Sequence, residues 1–130
     1  MAKPIRVLIA DDSVRSRDGL RALLASWPVE VVKVVGEAVN GKEAVQRVEE
    51  CHPDVVLMDL QMPIMDGLQA TRIIKNRWPD ITVAVLTIYA AQQDVAIAAG
   101  ADAFVIKGDT PERLLAAIGV DSAVDEPKHA

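Results

Sequence analysis

The sequence predicts an α/β domain built on a doubly wound, five-stranded parallel sheet, and three observations predict it. Apolar runs of strand length alternate with segments of helical period along nearly the whole chain. The strand-length runs are almost continuously apolar, as strands buried on both faces must be. Each of these runs is followed by a helical segment, the connection that parallel strands require.

The first run is IRVLIA (5 to 10), and the segment after it carries Leu20, Leu23, Leu24 and Trp27 at i, i+3, i+4 and i+7, one helix face. VEVVKVVGEA (29 to 38) reads as the second strand. Asn40 is placed to cap a helix that presents Ala44, Val45, Val48 and Cys51 on one side, and His52 and Pro53 end it. VVLM (55 to 58) is the third strand. Asp66 and Gly67 open a helix with Leu68, Thr71, Ile74 and Trp78 inward, stopped by Pro79. TVAVLT (82 to 87) is the fourth strand, AAQQDVAIAAG (90 to 100) a short alanine-rich helix closed by Gly100, and AFVI (103 to 106) the fifth strand. Asp109 or Thr110 caps the last helix, with Pro111 at its first position and Leu114, Leu115 and Ile118 inside. The period is lost over VDSAVDEPKHA (120 to 130), so residues 1 to 119 are expected to form one domain and 120 to 130 a tail or the start of a linker.

Composition narrows the function classes. A chain of 130 residues, 51% hydrophobic, matches one ordinary domain with a real core. Its net charge of -5 argues against direct binding to nucleic acid or to a membrane surface, where a basic patch is the rule. A single cysteine, Cys51, excludes an internal disulfide framework. No apolar run approaches the roughly 20 residues that span a bilayer, and MAKPIRVLIADD lacks the long apolar stretch of a signal peptide. A cytoplasmic location is the expectation. Cys51, His52 and His129 show no ligand spacing and are assigned no chemistry.

The ends of the strands carry the functional signal. In open parallel sheets ligands bind beyond the carboxyl ends of the strands. The first run leads into Asp11 and Asp12, the third into Asp59, the fourth ends in Thr87 and the fifth leads into Lys107. A parallel sheet brings these five groups to one edge. Two carboxylates about 4 Å apart repel by roughly 4 kcal/mol at an effective dielectric of about 20, so three in one pocket call for a cation. An oxygen-liganded hard ion fits, and Mg²⁺ in particular binds through one or two carboxylates while keeping positions for water and phosphate oxygens. The lysine can hold a phosphoryl oxygen and the threonine hydroxyl can donate to another. An aspartate can serve as a nucleophile that forms an acyl phosphate. Asp59 is therefore the candidate phosphoryl acceptor.

These residues carry a resemblance. The acid pair at 11 and 12, MDLQMPIMDG around Asp59, LT at 86 and 87, GADAF at 100 to 104 and FVIK ending at Lys107 resemble the response-regulator receiver domain of two-component signalling. The likeness spans residues 5 to about 119. DGLRALL and DLQMPIMDG are most similar to the NarL or LuxR-type subfamily, whose members usually continue into a C-terminal helix-turn-helix.

The resemblance implies a flavodoxin-like (βα)5 fold with strand order 2-1-3-4-5. It implies that Asp59 takes its phosphoryl group from a sensor histidine kinase or a phosphotransfer protein. Mg²⁺ would be held by Asp12, Asp59 and the backbone carbonyl of Gln61, with Asp11 acting mainly through bound water. Lys107 would pair with the phosphoryl oxygens, Thr87 would move to hydrogen-bond them, and Phe104 would occupy the switch position. Output would pass through the fourth helix, fifth strand and fifth helix, or through the first and fifth helices in a homodimer, and would control transcription through a further domain. The chain would be a switch and not an enzyme.

Simpler readings exist for each residue: Asp11 as a cap of the first helix, Lys107 as a surface lysine, Thr87 as an ordinary strand threonine, and Phe104 as a core aromatic. Three features depart from the family's pattern. Gly108 follows Lys107 where many receivers carry proline, which removes the usual chemical support for a cis peptide there. Ile88 is bulkier than the small residue many receivers carry after the threonine, and with Gln61 and Tyr89 it borders the entry to the site. The stretch from Thr87 to Gly100 is about two residues short, which predicts a short or irregular fourth helix.

Rival functions fit less well. A phosphatase of the haloacid-dehalogenase type needs a second acid two residues after the nucleophile, where this chain has Gln61. A flavodoxin-like cofactor binder needs a phosphate loop after the first strand, where DDSVRSRDG presents two acids. A constitutive interaction module has no need of the intact set of five polar groups.

Overall fold

The computed structural model describes residues 3–120. In chain order the elements are β1 (Ile5–Ala10), α1 (Val14–Leu24), β2 (Val32–Ala38), α2 (Gly41–Cys51), β3 (Val55–Asp59), α3 (Gly67–Arg77), β4 (Thr82–Thr87), a 3-10 turn (Ala90–Gln92), α4 (Gln93–Ala98), β5 (Ala103–Ile106) and α5 (Pro111–Ile118). All four strand pairings are parallel and the order is β2-β1-β3-β4-β5. The expected doubly wound sheet and its strand order are both present.

Two cores lie on opposite faces of this sheet, and the two-residue period of the strands assigns side chains to them. Val7, Ile9, Val55, Leu57, Ala84 and Leu86 join Leu24 of α1 and Leu114, Leu115 and Ile118 of α5. Their neighbours Leu8, Ala10, Val56, Met58, Val83 and Val85 face the other way, onto Ala44, Val48, Ala70, Ile74 and Ala96 of α2, α3 and α4. Every residue of β3 is buried, because it is the central strand with partners on both edges and helices on both faces. Burying an aliphatic side chain of this kind stabilises by about 1.5–3 kcal/mol. The apolar runs are therefore the scaffold that fixes where each strand ends.

Caps explain the helix starts. Asn40 accepts the Glu43 N–H at 2.8 Å and Asp66 accepts the Gln69 N–H at 2.9 Å, both as expected from the sequence. Thr110 occupies the cap position of α5, and Gly119 closes that helix in the left-handed region with φ 94°. All peptide bonds in the described residues are trans, Lys107–Gly108 included.

Four details differ from or refine the sequence reading. The second strand begins at Val32, not at residue 29, because the Pro28 carbonyl accepts the N–H groups of Val31 and Val32 and turns the chain first. Trp27 lies beyond the end of α1 yet still packs into the α1/α5-side core. The fourth helix is short and irregular as expected: one 3-10 turn runs into six α-helical residues. Val120, assigned to the tail, is buried in the core, and the rest of that segment, 121–130, lies outside the described residues.

The end of the sheet opposite the strand termini is tied by carboxylates and one lysine. Asp54 Oδ2 accepts the Arg6 N–H, and Asp102 Oδ2 accepts the Val83 N–H, each at 2.8 Å. Lys75 Nζ, from α3, donates to the Pro79 and Ile81 carbonyls and pairs with Asp102 at 2.9 Å. One ammonium thus joins the end of α3, the start of β4 and the turn before β5.

Two glycines fix the loop that follows Asp59. The Gly67 N–H donates to the Leu60 carbonyl, and the Gly41 N–H donates to the Met65 carbonyl at 2.8 Å. A methyl group on Gly67 would collide with the Asp59 carbonyl, and one on Gly41 with the Met65 carbonyl. Backbone thus packs on backbone where α2 and α3 begin. Gly67→Ala is expected to destabilise the fold by about 1–3 kcal/mol or more, as overpacking against rigid backbone does. Gly19→Ala, on an exposed position of α1 with nothing within 4 Å, is expected to stabilise by about 0.5–1 kcal/mol. Urea unfolding of the two variants measures both signs.

Candidate functional site

The strand order reverses between β1 and β3, and the crevice at such a reversal is where ligands bind in open α/β sheets. Asp11 follows β1, Asp59 is the last residue of β3, Thr87 the last of β4, and Lys107 follows β5. Together with Asp12, Ser13, Gln61 and Ile88 they line one cleft of about 210 Å³. One carboxylate oxygen from each of Asp11, Asp12 and Asp59 lies within 4.8 Å of the others.

The three acids are not equivalent. Asp11 is 1% exposed and fully engaged: Ser13 N–H donates to Oδ1 at 2.9 Å, and Ser16 Oγ and Lys107 Nζ donate to Oδ2 at 2.5 and 2.8 Å. Asp12 is exposed. Asp59 is 5% exposed and weakly served, with the Gln61 N–H at 3.3 Å from Oδ1 and Lys107 Nζ at 3.4 Å from Oδ2. Of the two buried acids, Asp59 is the one with lone pairs left free in the cleft.

The proton affinities follow. Burial pushes the Asp11 carboxyl upward, but the hydrogen bonds from Lys107, Ser16 and Ser13 outweigh it and hold the group below the usual carboxylate range. For Asp59, burial dominates; Lys107 opposes it, the Asp11 charge adds to it, and the carboxyl sits above its ordinary value. Lys107 is desolvated, yet Asp11 and Asp59 more than compensate and raise its ammonium above the ordinary lysine value.

The loop after Asp59 is shaped by a tight turn. Ile64 adopts φ 69°, a conformation that costs a β-branched residue energy, and the Met65 N–H reaches the Pro63 carbonyl across it. Ile64 is left 79% exposed at the tip. The flanking glycine contacts at 41 and 67 hold the strained turn in place.

Thr87 is 1% exposed. Its hydroxyl donates to Gln92 Oε1 at 2.6 Å, and its carbonyl accepts the Lys107 N–H at 2.8 Å. Phe104 is half-buried and pairs across from Val85, two residues from the partner of Thr87, Ile106. The structure therefore brings Asp11, Asp12, Asp59, Gln61, Thr87 and Lys107 into one cleft, and sets Phe104 beside it in the neighbouring strand.

The donor set fits a hard dication. All the anionic ligands are carboxylates, and three of them against one ammonium leave two negative charges uncompensated when ionised. Asp12 and Asp59 offer unengaged oxygens, whereas those of Asp11 are already taken. When bound, Mg²⁺ at such a site would neutralise charge on phosphoryl oxygens.

A family model described as response regulator receiver domain matches residues 7–119. The chain belongs to this family. It is 44% identical over 113 residues to the uncharacterised transcriptional regulatory protein YhcZ of Bacillus subtilis, covering 85% of this chain and 52% of that protein. It is 41% identical over 109 residues to a protein-glutamate methylesterase/protein-glutamine glutaminase of Methanosarcina mazei, covering 82% of this chain and 30% of the other. A LuxR-family two-component response regulator from Aurantimonas sp. SI85-9A1 superposes with a TM-score of 0.81 at 33% identity, covering 89% of this chain and 83% of that one. The likeness to NarL and LuxR-type regulators expected from the sequence is borne out. The receiver spans about half the length, or less, of these curated relatives. No helix among the described residues is long and apolar enough to cross a membrane.

Several residues at the site are not evident from sequence. Ser13, not Asp11, caps α1, its Oγ accepting the Ser16 N–H. Ser16 clamps Asp11, and Arg17 donates to the Asp11 carbonyl at 2.7 Å while pairing with Glu37 on β2. Gln92 holds Thr87. The Ser-x-x-Ser spacing at 13 and 16 is the one local signal that could have flagged the first pair; nothing local marks Gln92.

The opposite pKa directions of the two buried acids give opposite stability effects. Asp59 has its folded value raised, so its ionisation costs stability above that value. Asp59→Asn is expected to raise Tm at neutral pH, the gap closing as pH falls through the raised value to the ordinary one. Asp11 has its folded value lowered, so its contribution is present above the ordinary value near 3.9 and lost as pH falls below it. Asp11→Asn is expected to cost about 1–3 kcal/mol at neutral pH, as for a buried group losing its charged partner. Thermal unfolding from pH 3 to 8 distinguishes the two.

Proposed function

We propose that this receiver is a phosphoacceptor switch in which Asp59 takes the phosphoryl group from a phosphohistidine on a sensor histidine kinase or phosphotransfer protein, in the cytoplasm and with Mg²⁺. The observation that carries this reading is the contrast between the two buried acids: Asp11 is saturated with donors, while Asp59 keeps free lone pairs beside an ammonium. Asp12, Asp59 and the Gln61 carbonyl are the groups assigned to hold the ion.

Transfer makes a bond between an Asp59 carboxylate oxygen and phosphorus and breaks the bond between phosphorus and the donor imidazole nitrogen. The imidazole leaves with the electron pair. Asp59 must be ionised to attack, and Lys107 supports that state against burial and the nearby Asp11 charge. In the acyl phosphate, Lys107 Nζ is placed to pair with a phosphoryl oxygen, and the Thr87 hydroxyl donates to another once it turns toward the cleft. The modified protein then favours one of two arrangements of the same fold, because only one of them makes these contacts.

The output in this reading is control of transcription through a further domain; the alternative is a stand-alone receiver that acts by direct protein contact. The regulator relatives support the transcriptional reading. The methylesterase relatives favour a second one, in which the same module governs an attached enzyme, since a receiver matching 30% of such a protein lends its switch and not its chemistry.

Mass measurement of the intact protein after incubation with Mg²⁺ and acetyl phosphate or phosphoramidate is expected to show the gain of one phosphoryl group, absent in Asp59→Asn. No gain in the wild type with these donors or with its kinase overturns the phosphoacceptor reading, and an unchanged gain in the variant overturns the assignment to Asp59. The rate is expected to fall as acidification protonates Asp59, whose carboxyl must be ionised to attack.

A further inference from the structure

We infer that Gln92 is a positioning residue that competes with the phosphoryl group for the single hydroxyl proton of Thr87, and so sets how readily the switch turns on. This rests on the reading of Thr87 as a phosphoryl contact.

A threonine hydroxyl has one proton to donate. In the structure it goes to Gln92 Oε1 at 2.6 Å, while Thr87 Oγ1 itself accepts the Tyr89 N–H at 3.2 Å. A phosphoryl group near neutral pH offers acceptors only, so Thr87 can engage it only by donating that same proton. The two bonds are mutually exclusive. Forming the contact in the cleft therefore requires giving up Gln92, and the strength of the Gln92 bond is subtracted from the affinity for the phosphorylated state.

The position of Gln92 gives the competition a mechanical consequence. It is the last residue of the 3-10 turn and immediately precedes α4, and neither the turn nor α4 has a side-chain cap hydrogen bond. The Gln92 side chain ties the end of this turn to the last residue of β4, while the Tyr89 N–H bonds the same hydroxyl at its start. Tyr89, at the cap of the turn, and Val95 and Ile97 of α4 are exposed apolar side chains. Redirecting the Thr87 hydroxyl proton from Gln92 Oε1 to a phosphoryl oxygen untethers the segment that bears them.

The test uses the whole chain, Mg²⁺ and beryllium fluoride, which forms a tetrahedral phosphoryl mimic on a carboxylate. Gln92→Met keeps the length of the side chain and removes the acceptor. Gln92 is half-exposed, and far-UV circular dichroism checks that the fold is kept. A net hydrogen bond corresponds to a factor of roughly 2 to 10, so Gln92→Met is expected to bind the mimic that much more tightly. The gain is expected to vanish in a Thr87→Val background, where there is no proton to compete for. Equal affinity of Gln92→Met and wild type, or an equal gain with and without the Thr87 hydroxyl, overturns the inference.

A second measurement needs no mimic. Amide hydrogen exchange at residues 90 to 93 is expected to be faster in Gln92→Met and in Thr87→Val than in wild type, by a similar factor. Unchanged exchange in both overturns the tether. Failure of wild type and variants alike to bind the mimic overturns the proposed function instead, and the exchange measurement still decides for or against the Gln92 bond.

Discussion

Three carboxylates at the end of a buried sheet, answered by one ammonium, are the constraint from which the site follows. Lys107 cannot satisfy them equally: it lies 2.8 Å from Asp11 and 3.4 Å from Asp59. The shortfall falls on Asp59, which burial and the neighbouring charge already disfavour in its ionised form. A carboxylate that is poorly compensated at rest gains most from a cation, and the proposed transfer to Asp59 would draw on that imbalance. The availability of this carboxylate is thus a result of how the donors are distributed, and Ser13, Ser16 and Arg17 matter because they commit Asp11, the other buried acid, to a fixed structural task.

Such a distribution holds only if the frame is stiff. The sheet supplies that stiffness through two cores on its two faces, with β3 enclosed on every side. Close backbone contacts at Gly41 and Gly67 extend it into the loop beyond Asp59, where Ile64 is held in a costly conformation. The region beyond Thr87 is the opposite: a 3-10 turn, six α-helical residues and apolar side chains left in solvent. Rigid and loosely held parts meet at one hydroxyl. A change of state that begins at that junction would act first on the loosely held part.

Much of this is legible in the sequence, for reasons that differ between elements. Strands buried on both faces must be apolar throughout, so IRVLIA, VVLM, TVAVLT and AFVI announce themselves, and Asn40 and Asp66 mark helix starts by cap chemistry. The convergence of Asp11, Asp59, Thr87 and Lys107 follows from parallel topology alone. The second strand is placed three residues too early because valines in a turn after Pro28 look like valines in a strand; only the hydrogen bonds to the Pro28 carbonyl separate them. Val120 is misassigned since one buried residue leaves no period. The partners of Asp11 and Thr87 depend on which side chains long-range folding brings together, and a serine or glutamine in a helical segment carries no mark of it.

The opposite end of the sheet has a consequence for how a disturbance spreads. Lys75 pins α3, the start of β4 and the turn before β5 at one point, and Asp54 and Asp102 close the same end. The domain is in effect a cantilever, clamped at its base and loaded at its tip. A displacement that begins at the end of β4 would fall on the least anchored segment there, the 3-10 turn and α4. Anchorage far from the cleft would thereby give the proposed signal its direction.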